Sequence, residues 1–171
     1  MGLEAHLDSS SYLEHGKENA LNYWLSTEAS KVLTASTQLV GGALYRQAHE
    51  DRESPDSANG FKPTTYQEIK TYLGSRHEQG RFNHNIGATL ERSTFDATAT
   101  SAGMINNSDR DRNHITFGVK SSYDWREILT PQLQIVGDVR NYDAQTDDFS
   151  YRRSSKGGRA TAGTRFKGKK K

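Results

Sequence analysis

The chain has 171 residues, with 23 Lys plus Arg against 21 Asp plus Glu, no Cys and three Pro. Without Cys there is no disulfide framework, thiolate nucleophile or cysteine metal site. A net charge of +2 argues against a general nucleic-acid binder, whose affinity rests on neutralising phosphates. Leu, Ile, Val and Phe supply about 17% of the residues, under the ~20% that marks chains poor in core material, yet the net charge is too small for a solvated coil. The longest apolar stretch, Leu39–Tyr45 (LVGGALY), is far short of the ~18 residues of a membrane helix. The opening MGLEAHLDSS lacks the basic-then-apolar order of a secretory leader.

Taken in chain order, Leu3–Leu13, Leu21–Ser30, Thr37–Ala48 and Tyr66–His77 are candidate strands. In the third, Gly41-Gly42 blurs which face is apolar. Ser26–Leu33 is the one short stretch defensible as helix. From Phe82 the pattern is plainer. Phe82, His84, Ile86, Ala88 and Leu90 alternate with Asn83, Asn85, Gly87, Thr89 and Glu91; Ile115, Phe117, Val119, Ser121 and Tyr123 alternate with Thr116, Gly118, Lys120, Ser122 and Asp124. Leu133, Ile135, Gly137 and Val139 oppose Gln132, Gln134, Asp138 and Arg140, and Ala160, Ala162, Thr164 and Phe166 oppose Arg159, Thr161, Gly163 and Arg165. Period two is what a strand with two different faces requires, because successive side chains point to opposite sides. The chain reads as all-β.

The connections add topology. The first two, near HGKEN and KVLTAS, are short; from the third strand onward long and short ones alternate. HEDRESPDSANGFKPTT, STFDATATSAGMINNSDRDRN and YDAQTDDFSYRRSSKG are long, whereas EQGR and REILTP are short. In an up-and-down antiparallel sheet successive connections fall at opposite ends, so the long ones gather at one end. Transmembrane barrels show that asymmetry, and soluble sandwiches can also have unequal ends, so it favours the barrel without deciding for it.

YRQAHEDRESPD, INNSDRDR at Ile105–Arg112, GDVRNYD and DDFSYRRSSKGGRATAGTRF together resemble one family. It is the outer-membrane β-barrel proteins of Gram-negative bacteria known as "putative β-barrel porin 2", and the resemblance runs from Tyr45 to Phe166. It implies an antiparallel up-and-down β-barrel of the outer-membrane type, located in the cell outer membrane and concerned with export or passage of polar material such as polysaccharide. Members are normally longer, with a signal peptide and further strands, so the chain reads as a fragment or short relative. About eight strands fall in it, as one barrel or barrel segment over residues 1–166, with a basic tail at 167–171.

In such a barrel the apolar face meets lipid and the polar face the lumen. Lipid would meet Ile69, Leu73, Phe82, Ile86, Leu90, Ile115, Phe117, Val119, Leu133, Ile135 and Val139, with Tyr23, Trp24, Tyr123, Trp125 and Phe166 in aromatic girdles near strand ends. Glu68, Lys70, Arg76, Glu91, Lys120, Asp124, Asp138, Arg140, Arg159 and Arg165 would line the lumen. These could form cross-strand ion pairs or border a water-filled path. His84 and Ser121 on the lipid side argue against the assignment.

Other constellations carry less chemistry. Asp109 and Asp111 are spaced like oxygen ligands for a hard cation, but Arg110 and Arg112 interleave them, and a self-paired loop is the better reading. Adjacent Asp147 and Asp148 would point apart on a strand rather than converge on one bond. The six His lack metal-binding spacing. SSKGGR precedes a strand, not the helix a phosphate loop uses. No catalytic residue, cofactor or metal is expected, and the chain is expected not to be an enzyme. Its expected partners are outer-membrane lipid and a polar solute or polysaccharide, with no nucleic acid; oligomeric state stays open. The rival reading is a soluble antiparallel β-sheet module binding carbohydrate through exposed Trp and Tyr. A carbohydrate-active enzyme on a β scaffold comes third.

Overall fold

Eight long strands, each hydrogen-bonded to the next one along the chain, build one antiparallel sheet. The computed structural model describes residues 2–10, 20–52, 60–125 and 129–166. The strands are β1 (Gly2–Ser10), β2 (Ala20–Thr34), β3 (Thr37–His49), β4 (Thr65–Gln79), β5 (Phe82–Phe95), β8 (Arg112–Tyr123), β9 (Leu129–Tyr142) and β10 (Ser155–Phe166). A two-stranded hairpin, β6 (Thr98–Thr100) and β7 (Gly103–Ile105), sits between β5 and β8. The sheet order is β1-β2-β3-β4-β5-β8-β9-β10. Among the described residues β1 and β10 each keep one edge unpaired, so the sheet is not closed. β2 and β4 have 15 residues each and β5 and β9 have 14. Strands of globular proteins usually have ~5–6 residues, whereas ~9–11 tilted residues cross a bilayer.

Turn chemistry explains the short connections. Gln79 pairs with Phe82 across Gly80-Arg81, and only the first of the two central residues has positive φ, Gly80 at 60°. That is the pattern of a type II′ hairpin, which glycine enters without a steric penalty. Thr34 pairs with Thr37 at the same end, and β8 joins β9 there. The connections 50–64, 96–111 and 143–154 lie at the opposite end. The connection near HGKEN falls outside the described residues, as does the basic tail. The stretch 96–111 is not structureless: it holds β6, β7 and a short 3-10 turn over Ser108–Arg110. Its packing is polar, with the Thr64 and Thr98 hydroxyls 2.8 Å apart and the Asn107 amide donating to the Asp96 carbonyl and to the Thr98 hydroxyl.

Ser26–Leu33 is strand, not helix. It is the lower half of β2, paired with Gln38–Leu44 of β3 and, over Ser26–Glu28, with β1. The ladder hydrogen bonds on both sides of this segment override its local helix compatibility.

The sheet has no apolar core. No hydrophobic residue is buried among the described residues; the buried ones are Thr64, Ser93, Thr98, Asn107 and Thr130. Along β4, Ile69, Thr71 and Leu73 are exposed while the alternate Glu68, Lys70 and Tyr72 are half-buried. Along β4 the polar face is therefore the more enclosed of the two, whereas both faces of β10 are exposed.

Candidate functional site: the charged face of the sheet

Register decides which side chains share a face, because residues paired across strands point the same way. All eleven residues expected to meet lipid lie on one face. Leu73, Ala88 and Phe117 form one row across β4, β5 and β8; Ser75, Ile86, Val119 and Ile135 another; Thr71, Leu90, Ile115 and Val139 a third. Nothing in the described structure packs over them: Leu73 is 66% exposed and Phe117 52%. The polar pair on this face is internally satisfied. His84 Nδ1 and Ser121 Oγ are 2.9 Å apart, and the Phe82 ring stacks on His84 at 5.9 Å. Phe82 also meets Tyr123 at 4.7 Å, an aromatic cluster at the short-turn end. Tyr23 and Tyr45 form a ring pair at 6.0 Å toward the other end. Trp24 does not belong to such a girdle: its pairing with His6 and Arg46 places it on the opposite face, stacked on His6. Its odd-numbered neighbour Tyr23 takes the apolar side, since adjacent strand residues diverge. Trp125 lies just beyond β8, and Phe166 ends β10 opposite Leu129.

The ten residues expected to line a lumen all lie on the other face, and the register sorts them into two zones. Toward the long-loop end they form a cross-strand ladder. Arg46 donates to Glu68 at 2.9 Å, Lys70 stands 3.7 Å from Glu91, and His114 Nε2 stands 3.7 Å from Asp138. The Glu68 and Glu91 side chains are only 15% and 19% exposed, less than the leucines of the opposite face. Arg140 sits between His114 and Ser155 in register, and its Nε is enclosed without a hydrogen-bond partner, as is that of Arg46. Arg159, on β10, pairs with Val136.

Toward the short-turn end the chemistry changes. The row Arg76, Asn85, Lys120, Gln134 and Thr161 carries two cations and no carboxylate. Arg76, Lys120 and Arg165 line a groove of about 260 Å³ with Asn83, Asn85, Ser122, Asp124 and Thr130. Asp124 is engaged there, accepting from the Thr130 hydroxyl at 2.8 Å and the Asn83 amide at 3.4 Å. Arg76 pairs with Glu78 at 2.5 Å. A larger groove of about 480 Å³ adjoins it, sharing Arg76, Asn85 and Lys120. Gly74, Gly87 and Gly118, successive in one cross-strand row, form its floor. Three adjacent residues without side chains leave a lane across the middle of the charged face.

Several participants were not anticipated. Tyr72 reaches Glu28 across Gly42. At the long-loop end of the same face Tyr66 stacks on Phe95 at 5.6 Å, with Arg46 over Tyr66 and Arg110 and Arg112 over Phe95. Arg110 also forms a largely buried ion pair with Glu50. Alternation could have flagged Arg46, but Val40 and Leu44 on its own face make β3 apolar on both sides. The loop carboxylates are held by arginines and amides. Arg92 grips Asp143 at 2.6 and 2.7 Å, Arg153 joins Asp109 to Asp147, and Asp111 accepts the Phe95 amide. The Arg92 guanidinium holds the Asp143 carboxyl below the usual range. Amide donation from Tyr151, then Arg153 and the Phe149 amide, does the same for Asp147.

Neither a curated protein nor a solved structure matches the chain. A family model does match, over residues 2–171, nearly the whole sequence. One exposed apolar face, one charged face and long strands joined in sequence are the properties of a membrane-barrel wall, and the chain belongs to the β-barrel family described as "Putative beta-barrel porin 2".

Proposed function

We propose that this chain forms wall of a non-enzymatic outer-membrane barrel, with its charged face lining an aqueous path for polar solutes such as oligosaccharide or polysaccharide. The observation that carries the reading is the uncovered apolar face. A soluble carbohydrate-binding module would cover such a face with a second sheet, and none packs on it among the described residues. From Phe82 to Leu90 this face of β5 carries no Asp, Glu, Lys or Arg, about 27 Å of strand at ~3.4 Å per residue. Tilted, that matches the ~25 Å apolar band of outer-membrane barrels. On the other face, the ladder's charges lie beside opposite charges, which suits water-lined wall. In a bilayer the free edges of β1 and β10 must be paired, because unpaired backbone is not tolerated in hydrocarbon.

Refolding the full chain into detergent, followed by electrophoresis of unheated and boiled samples and planar-bilayer recording, tests the reading. A β-rich spectrum, a heat-dependent mobility shift and discrete conductance steps are expected. A monomer that is soluble and β-rich without detergent would overturn it in favour of the carbohydrate-binding module.

A further inference from the structure

The charged face changes character along its height. In the ladder, Arg46 faces Glu68 and Lys70 faces Glu91. Lys120, by contrast, faces Asn85 on one side and Gln134 on the other. Amides stand where the ladder has carboxylates. Arg165 lies on the next strand but one, and neither it nor Lys120 has an ion-pair partner among the described residues. With Arg76 they converge on one groove of about 260 Å³ whose single carboxylate, Asp124, is taken by Thr130 and Asn83. Glu78, the partner of Arg76, is not in that lining.

Cations supplied from three different strands, with amide and hydroxyl donors between them, suit an anionic group with several acceptor oxygens. Guanidinium and ammonium donors form shorter and stronger hydrogen bonds to carboxylate or phosphate than neutral donors do. We infer that Arg76, Lys120 and Arg165 form an oxyanion subsite, for a carboxylate or phosphate group carried by a polar solute, at the short-turn end of the charged face. The inference rests on the proposed solute path for its role, but not for its chemistry. An anion bound there completes the charge pairing that the ladder achieves internally.

Two measurements on the detergent-folded full chain test it. Inorganic phosphate and galacturonate are titrated calorimetrically into wild type, Lys120→Gln, Arg165→Gln and the double variant, with Lys31→Gln on the apolar face as control. Circular dichroism confirms that each is folded. Binding of at least one anion is expected, weakened on the order of tenfold in each single variant, further in the double, and unchanged in the control. Phosphate or galacturonate alone binding tells the two chemistries apart. If neither binds, or if the double variant binds as wild type does, the subsite is overturned. In bilayers under a KCl gradient, the reversal potential should indicate anion preference and shift toward cations in Lys120→Glu. A conducting chain whose selectivity ignores that substitution also overturns the subsite. A chain that binds phosphate but never conducts removes the solute path and leaves the subsite standing.

Discussion

The phenol of Tyr72 crosses Gly42 and donates its hydroxyl proton to the Glu28 carboxylate at 2.7 Å, so one side chain of β4 ties down β2 over the intervening strand. Gly42 allows this because a Cβ there would stand 2.8 Å from the Tyr72 ring and 2.5 Å from the Thr27 carbonyl oxygen. Gly42→Val should therefore displace the ring, part the hydroxyl from Glu28 and cost about 1–3 kcal/mol, the range for overpacked sites. Tyr72→Phe, which keeps the ring and loses the bond, should cost less than Gly42→Val. Urea midpoints in detergent compare the two. Equal stability of Gly42→Val and wild type would mean the crossing is not retained.

Face assignment has a direct test in lipid. Phe117→Arg puts a charge on the uncovered apolar face and should cost about 2–4 kcal/mol near the bilayer midplane. Thr116→Arg, one residue away on the charged face, should fall within ~0.5 kcal/mol of wild type, as surface changes usually do. Unfolding titrations in vesicles measure both. Matching losses at the two positions would contradict a membrane on the Phe117 side.

The long-loop end depends on an ion pair between residues 60 apart in sequence. Glu50 and Arg110 are each only 11% exposed, and Arg110 also lies over Phe95 at 4.2 Å. Glu50→Ala takes one carboxylate away from a largely buried guanidinium and should destabilise the loop region by about 1–3 kcal/mol. Changing Glu50 and Arg110 together to Gln should cost less than Glu50→Ala. Hydrogen exchange of the amides in 96–111 reads the local effect.

Acid should loosen the 143–154 connection before it affects the sheet. Asp147 accepts the amides of Phe149 and Tyr151 and pairs with Arg153, and its pKa is lowered, as is that of Asp143 beside Arg92. A carboxylate with a depressed folded pKa gives its full stabilisation above the unfolded value of ~3.9 and loses it as pH falls through the folded value. The connection should thus be constant from neutral pH to about 4 and open below that. Chemical shifts of the Phe149 and Tyr151 amides follow the change, and Asp147→Asn should abolish it.

The glycine lane predicts a steric gate that can be installed. A Cβ at Gly118 would find its nearest neighbour at 3.7 Å, the Val136 side chain, so Gly118→Gln should fold. It should nevertheless fill part of the groove of about 480 Å³ and lower single-channel conductance. Unchanged conductance in a folded variant would move the solute path elsewhere.

Alternation alone determined a great deal. In β5, β8, β9 and β10 one set of positions is apolar and the other polar with few exceptions, and period two leaves only one way to divide them. The apolar and charged side chains of these four strands therefore sort onto opposite faces from the sequence alone. The placement of long and short connections likewise followed from antiparallel order. What the sequence left open lies where local pattern is weak. β3 is apolar on both sides around Gly41-Gly42, so Arg46 could not be oriented until its register with Trp24 and Glu68 was known. Ser26–Leu33 is compatible with either helix or strand, and hydrogen bonds from β1 and β3 decided it. The same holds for Tyr72 over Gly42, Glu50 with Arg110, and the amides that flank Lys120. Each joins residues far apart in the chain, and such a relationship exists only once the register of the whole sheet is set.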